Sequence, residues 1–240
     1  MKLNCHCGSI EAEINASINE LAKKLEEAAR LDKLPSLLIP VHLGGACCDM
    51  EAISNLSQKY GFKIIEDASH AIGGICNDFN VGSCKYSDIT TFSFHPVKNI
   101  TTCEGGMVTT NNKTLYKLLK LYRNHGIQRN ITNKKKYYWS YQVSAPGYNY
   151  RLSDVQCALG ISQLKKIEKF IKIREKISIF YQKNLKNLDK FITNKIPTKD
   201  QLSGNHLFII NFKDCKRSLR DKIISKFYDN KIITQVHYIP

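Results

Sequence analysis

Ile18, Leu21, Leu25 and Ala28 recur at helical spacing behind a Ser17–Glu20 capping-box pattern, and Pro35 stops the repeat. A first helix is predicted there. Leu37-Leu38-Ile39-Pro40-Val41 is a short apolar run that reads as a buried strand, its proline favouring an end or an edge. Asp49 is placed to cap a helix over residues 50–60 that Gly61 closes, and residues 62–65 read as the next strand. Residues 88–94 and 106–110, rich in β-branched and aromatic side chains, predict two more strands, followed by a helix over 113–124. Strands alternating with helices of this length need crossover connections. The pattern therefore predicts an α/β domain with a mainly parallel sheet covered on both faces.

Between residues 126 and 149 the chain turns polar and aromatic, over a stretch too long for a simple connection. It reads as a functional or subunit-contact loop. Ser153 and Gln156 form a second capping-box pattern that opens a helical stretch running to about residue 188. The remainder reads as strand (206–212), helix (217–228) and strand (232–237), a smaller α/β unit. The expected division is a large domain over 1–165, then a linking helix and part of a small C-terminal domain over 166–240.

Composition narrows the class. A chain of 240 residues that is 42% hydrophobic can bury a substantial core. Disorder is expected at most in the first residues and around Lys134-Lys135-Lys136. Lys and Arg outnumber Asp and Glu by 36 to 21, but the lysines are spread along helices rather than gathered beside aromatics. That distribution argues for a solvated face and against nucleic acid, and it suits a nucleotide-linked substrate. The nine cysteines are odd in number and scattered, with no signal peptide, which fits a reduced cytoplasmic setting. Cys5-His6-Cys7 and Cys47-Cys48 lack the two-residue spacing of a zinc site, so no metal is expected. The apolar runs are too short to span a bilayer.

In an open α/β sheet, ligands sit beyond the carboxyl ends of the strands. One predicted strand runs into Glu66-Asp67-Ala68-Ser69-His70-Ala71, and another into Ser93-Phe94-His95-Pro96-Val97-Lys98. An aspartate on one strand end and a lysine near the next form the pair that pyridoxal phosphate (PLP) needs. The amine attacks the aldehyde, and the carboxylate keeps the pyridine nitrogen protonated. On the residues alone, a surface lysine and a turn aspartate remain the ordinary alternative.

Read together, the stretches resemble the DegT/DnrJ/EryC1/StrS family of nucleotide-sugar aminotransferases from about residue 15 onward. Beside the two segments above stand Glu104-Gly105-Gly106, Arg123-Asn124-His125-Gly126, Gly147-Tyr148-Asn149-Tyr150-Arg151-Leu152-Ser153-Asp154, Gln156-Cys157-Ala158-Leu159-Gly160 and Val236-His237-Tyr238-Ile239-Pro240. The resemblance implies the fold of PLP-dependent aspartate aminotransferases (fold type I). It makes Lys98 the catalytic lysine that binds the cofactor and carries the proton in each half-reaction. It pairs Asp67 with the pyridinium nitrogen, sets His70 near the phenolic oxygen and has Ser93 donate to the phosphate. Asn149 would reach the phosphate of a neighbouring subunit's cofactor, implying a homodimer. His237 and Tyr238 would approach the sugar, with ordinary strand positions as the alternative. Gly105 and Gly106 would serve a tight turn.

The implied reaction is transamination of a UDP-linked 4-keto-6-deoxy sugar, with L-glutamate as amino donor, in making a surface or flagellar glycan. Family members also carry an earlier segment with a helix start for the phosphate and an aromatic ring for the pyridine, and they continue beyond the Val-His-Tyr motif. These 240 residues contain neither part, so no turnover by the chain alone is expected. The alternative is a remnant without catalysis, acting at most as a binding or dimerisation module. A sugar dehydratase is disfavoured, because that branch has histidine where Lys98 stands.

Overall fold

The computed structural model describes residues 17–128, 139–188, 201–213 and 215–237, with the backbone of three further two-residue strands. Helix α1 (Ile18–Arg30) begins where Ser17 Oγ accepts from the Glu20 N–H at 3.3 Å and Glu20 Oε2 accepts from the Ser17 N–H at 2.7 Å. That reciprocal cap satisfies donors that a helix start leaves open. Helix α2 (Met50–Tyr60) is capped by Asp49 Oδ1, which accepts from the Ala52 N–H, and it ends on Gly61 at φ 79°. The left-handed cap accounts for the glycine.

In chain order the strands are β1 (Lys2–Leu3), β2 (Ala12–Glu13), β3 (Leu37–Leu38), β4 (Lys63–Asp67), β5 (Ile75–Cys76), β6 (Phe79–Asn80), β7 (Ile89–Ser93) and β8 (Gly106–Thr109). Helix α3 (Lys113–Arg123), strands β9 (Ile127–Gln128) and β10 (Gln142–Val143), and helices α4 (Asp154–Leu164) and α5 (Ile167–Leu185) follow. Strands β11 (Ile192–Thr193), β12 (Gln201–Leu202) and β13 (Asn211–Phe212) and helix α6 (Arg217–Asp229) complete the order.

The main sheet runs β3-β4-β7-β8. Strands β3, β4 and β7 are parallel, with Leu38 opposite Ile64 and Asp67 opposite Thr91. Strand β8 is antiparallel to β7, with Ser93 opposite Gly106. This is the mainly parallel sheet that the alternation of elements predicts. Its core joins Leu21 and Leu25 of α1, Met50 and Ile53 of α2, Leu38, Phe62 and Ile64, all nearly or fully buried. Truncating one of these large side chains to alanine costs about 2–5 kcal/mol.

Three local departures have physical causes. The helical stretch after Ser153 is two helices: the Lys165 N–H still reaches the Ile161 carbonyl at 3.2 Å, but the Lys166 N–H turns back to the Gln163 carbonyl at 2.9 Å, a tighter turn that ends α4. The strand predicted over 206–212 shrinks to β13, because His206 and Leu207 donate to the Gly44 carbonyl rather than to a ladder. Residues 232–237 form no strand: Ile232 donates back to the Phe227 carbonyl behind α6, and Ile233 is 83% exposed. The β5–β6 hairpin was not foreseen. Its two-residue turn, Asn77-Asp78, has both φ angles positive (45° and 64°), as a tight hairpin turn requires.

The chain divides into two compact units, Met1–Lys176 with Ile196–Leu207, and Ile177–Lys195 with Phe208–Pro240. In the second unit β11 pairs antiparallel with β13, and the Tyr181 and Phe208 rings meet at 5.0 Å. Among the described residues, no helix is long and apolar enough to cross a membrane. The Lys134-Lys135-Lys136 run and Tyr238 lie outside the described residues.

Candidate active site

Strand alternation sends Glu66 and Asp67 to opposite sides of β4. Glu66 is buried, with its carboxylate receiving His42 Nε2 at 2.8 Å, Thr90 Oγ1 at 3.0 Å and the Ser87 hydroxyl. Burial works to raise the Glu66 pKa, but the hydrogen bonds from His42 and Ser87 outweigh it and hold the carboxyl below the usual range. The Cys48 backbone N–H points at His42 Nδ1 (3.2 Å), so Nδ1 accepts and the ring proton resides on Nε2, facing Glu66. Glu66 is thus a structural anchor under the strand end.

Asp67, half-buried, is held by its backbone between Pro40 and His42 and by its side chain, where Oδ1 accepts from the Ser69 N–H at 3.0 Å. Among the described residues no hydrogen bond engages Oδ2. Ser93 ends the neighbouring strand, two positions beyond the partner of Asp67. Its oxygen accepts a long bond from the His95 N–H (3.4 Å), and its own O–H remains able to donate.

Lys98 follows in a turn closed by its N–H on the His95 carbonyl at 3.0 Å. Partial burial holds its amine below the ordinary lysine value, and the Asp67 carboxylate opposes that shift. The two residues therefore share one electrostatic environment. Behind the turn, Phe94 pairs with the Gly105 carbonyl, and Gly105 adopts φ 142° where a Cβ would lie 2.5 Å from Leu152 Cδ2. The positive φ favours glycine there, and its missing side chain leaves room for Leu152 to pack close. Gln156 Nε2 on α4 donates to the Glu104 carbonyl at 2.9 Å, docking that helix onto the same loop.

His70 is buried, and its Nδ1 accepts from the Gly44 N–H at 3.2 Å, which puts its proton on Nε2. Its ring lies 4.5 Å from that of His206. Asn149 lies on an exposed ribbon bridged to Asn124 and is flanked by the stacked Tyr148 and Tyr150 rings, 5.2 Å apart. His237 belongs to the second unit. Asp67, His70, Ser93 and Lys98 thus all stand at or beyond the carboxyl ends of β4 and β7, with Asp67 acting on the Lys98 amine, and Asn149 lies on an exposed ribbon.

Sequence reasoning did not single out His42, Asn99, Arg174 or His206. The signal for Asn99 was its place beside Lys98. For His206 no local pattern existed, since Gly44 and His70, which it meets, lie more than a hundred residues away in sequence.

Asp67 and Lys98 stand at or past the carboxyl ends of adjacent parallel strands, the edge of an α/β sheet where ligands bind. Residues 9–240 match the DegT/DnrJ/EryC1/StrS aminotransferase family, and the chain belongs to it. The chain is 42% identical over 235 residues to the UDP-4-amino-4,6-dideoxy-N-acetyl-beta-L-altrosamine transaminase of Campylobacter jejuni, covering 96% of this chain and 59% of that one. Its fold is similar to Helicobacter pylori PseC, described as an aminotransferase involved in the biosynthesis of pseudoaminic acid. The TM-score is 0.75 at 32% identity, over 84% of this chain and 52% of the other. It is also similar to a sugar aminotransferase of Streptococcus pneumoniae solved in its PLP form, with a TM-score of 0.72 at 26% identity over 85% of this chain and 54% of the other. The chain therefore spans somewhat more than half the length of these relatives.

Proposed function

We propose that this chain carries the lysine-bearing part of a PLP-dependent nucleotide-sugar aminotransferase. In this reading an amino group passes from L-glutamate to the C4 ketone of a UDP-linked 4-keto-6-deoxy sugar. The observation that carries it is the Lys98 amine, held low by burial within the field of Asp67 at the strand ends. The similarity to the Campylobacter transaminase and to PseC supports the sugar class and a role in the pathway those relatives serve.

The residues present fit the cofactor: an amine biased toward its neutral form, a carboxylate with one oxygen unengaged, a hydroxyl able to donate, and a histidine whose Nε2 is a donor. PLP, when bound, supplies an aldehyde that takes up the amino group and a ring that draws electrons from the carbon bearing it. Lys98 Nζ, whose proton burial disfavours, would hold the cofactor and would take and return the proton at that carbon. Asp67 holds a proton on the ring nitrogen, and Ser93 donates to a phosphate oxygen. His70 donates from Nε2 toward the phenolic oxygen.

Asn149 serves a second copy, in keeping with its exposed place between Tyr148 and Tyr150, which are 65% and 69% exposed. His237 and Tyr238 take the sugar side. In this reading the enzyme works in the cytoplasm.

Incubation with PLP, borohydride reduction and peptide mass spectrometry test the reading. A pyridoxyl group on Lys98 is expected, and its loss in Lys98→Ala. Labelling spread evenly over the surface lysines would sink it. The second reading, a module that associates without catalysis, is favoured by the exposed apolar side chains of α4, and it predicts self-association with no adduct at all.

A further inference from the structure

Asn99, beside Lys98, is 6% exposed and donates from Nδ2 to the Gly204 carbonyl across 105 positions of sequence. That bond joins the Lys98 turn to the strap Ser203–Leu207. Its Oδ1 is buried without a partner. Flipping the amide would set two carbonyl oxygens face to face, so the assignment of the donor stands. An orphaned buried acceptor costs about 1–3 kcal/mol, and an apolar residue of similar size would avoid that penalty. The donor of Asn99 therefore has a use that offsets its orphaned acceptor.

The strap itself is built closely against His70. Gly204 donates to the Gly45 carbonyl at 2.9 Å, and His206 donates to the Gly44 carbonyl at 3.0 Å. The Gly44 N–H in turn holds His70 Nδ1. A Cβ on Gly204 would lie 2.9 Å from the His70 carbonyl oxygen, so the approach needs glycine. Arg174 Nη1 donates to the Asn205 and His206 carbonyls at 3.3 Å, bracing the far side. The result is the 4.5 Å ring contact between His206 and His70.

We propose that Asn99 is a positioning residue: its amide latches the Lys98 turn to the strap that seats His206 on His70, fixing amine and imidazole relative to each other. The role of the latch rests on the reading of Lys98 given above. The Asn99 donor ties two distant segments together, so removing it loosens the amine turn without touching Asp67 or Ser93.

The test uses the full chain with Asn99→Leu, which removes donor and orphan together, and Gly204→Ala, which pushes the strap away while leaving the turn intact. Hydrogen exchange is read at residues 204, 206 and 207, and the Lys98 titration is read by competitive acetylation and mass spectrometry, without cofactor. Both variants are expected to speed strap exchange about tenfold or more, with α1 and α2 unchanged, and to move the Lys98 midpoint up toward an ordinary lysine. Faster strap exchange with an unmoved Lys98 midpoint would make Asn99 a structural brace only and overturn the proposal, as would unchanged exchange in Asn99→Leu. Should Gly204→Ala fail to fold, Asn99→Ala, which removes the donor without adding a charge beside Lys98, decides between the same outcomes. Absence of a pyridoxyl adduct in the unaltered chain counts against the cofactor reading instead, and the titration still decides the latch.

Discussion

His42 donates from Nε2 to the Glu66 carboxylate at 2.8 Å inside the core, one residue before Asp67 on β4. The pair is close to fully buried, and Ser87 and Thr90 saturate the other oxygen. Removing one partner leaves the other polar group stranded, so Glu66→Ala is expected to lower stability by about 1–3 kcal/mol. The same pair sets an acid limit. The folded Glu66 pKa lies below its ordinary 4.5, so its stabilisation is complete above 4.5 and is lost as pH falls through the lower folded value. Chemical denaturation from pH 7 to pH 3 should show this loss, and a Glu66→Gln chain should lose less over the same range. Equal acid sensitivity in the two chains would contradict the assignment.

The Asp67 and Lys98 charges give a prediction with a less intuitive sign. Burial lowers the Lys98 pKa and Asp67 raises it, so Asp67→Asn removes the term that favours the proton. The Lys98 midpoint should therefore fall further below 10.5, and the free amine should label faster at neutral pH than in the unaltered chain. Cofactor retention should nevertheless weaken, because the ring nitrogen loses its carboxylate. An upward shift of the midpoint in Asp67→Asn would show that Asp67 does not act on Lys98 in the folded chain.

These two pairs show what the sequence made legible. The spacing of Leu21 and Leu25, the caps at Ser17 and Asp49 and the apolar strands specify α1, α2 and the parallel sheet, because local periodicity and local hydrogen bonds determine them. Asp67, Ser93 and Lys98 were legible because each lies at or just past the end of a strand. His206 and Asn99 were not, because what places them is a non-local contact between a turn and a strap more than a hundred residues apart. The strand predicted at 232–237 failed for a related reason. Apolar alternation there found no neighbouring strand, and the chain turned back onto α6 instead.

Cysteine reactivity should follow burial. Cys47, Cys76 and Cys84 are 4%, 5% and 7% exposed, whereas Cys103 and Cys157 are exposed. The hydrogen bond with Cys76, and then burial, push the Cys47 thiol up, away from the reactive thiolate. Iodoacetamide on the native chain, followed by mass spectrometry, should modify Cys103 and Cys157 first. Cys47 should react only on unfolding. Early modification of Cys47 would mean that the α2 side of the core opens readily.

Helix α4 provides the last prediction. It has no buried residue, and Val155, Ile161 and Leu164 are 80%, 59% and 51% exposed. Their positions fall on more than one side of the helix, an arrangement that suits a helix enclosed by other polypeptide better than one facing water. Tyr148 and Tyr150 extend the same apolar character around Asn149. If a second copy covers this surface, as the proposed role of Asn149 requires, a charge at Val155 should break the association. Sedimentation of Val155→Glu should then report a smaller species than the unaltered chain. Because Val155 is open within one copy, the stability of that copy should change by no more than about 0.5 kcal/mol. A Val155→Glu chain that sediments like the unaltered one would leave α4 outside the interface and remove the support it lends to Asn149.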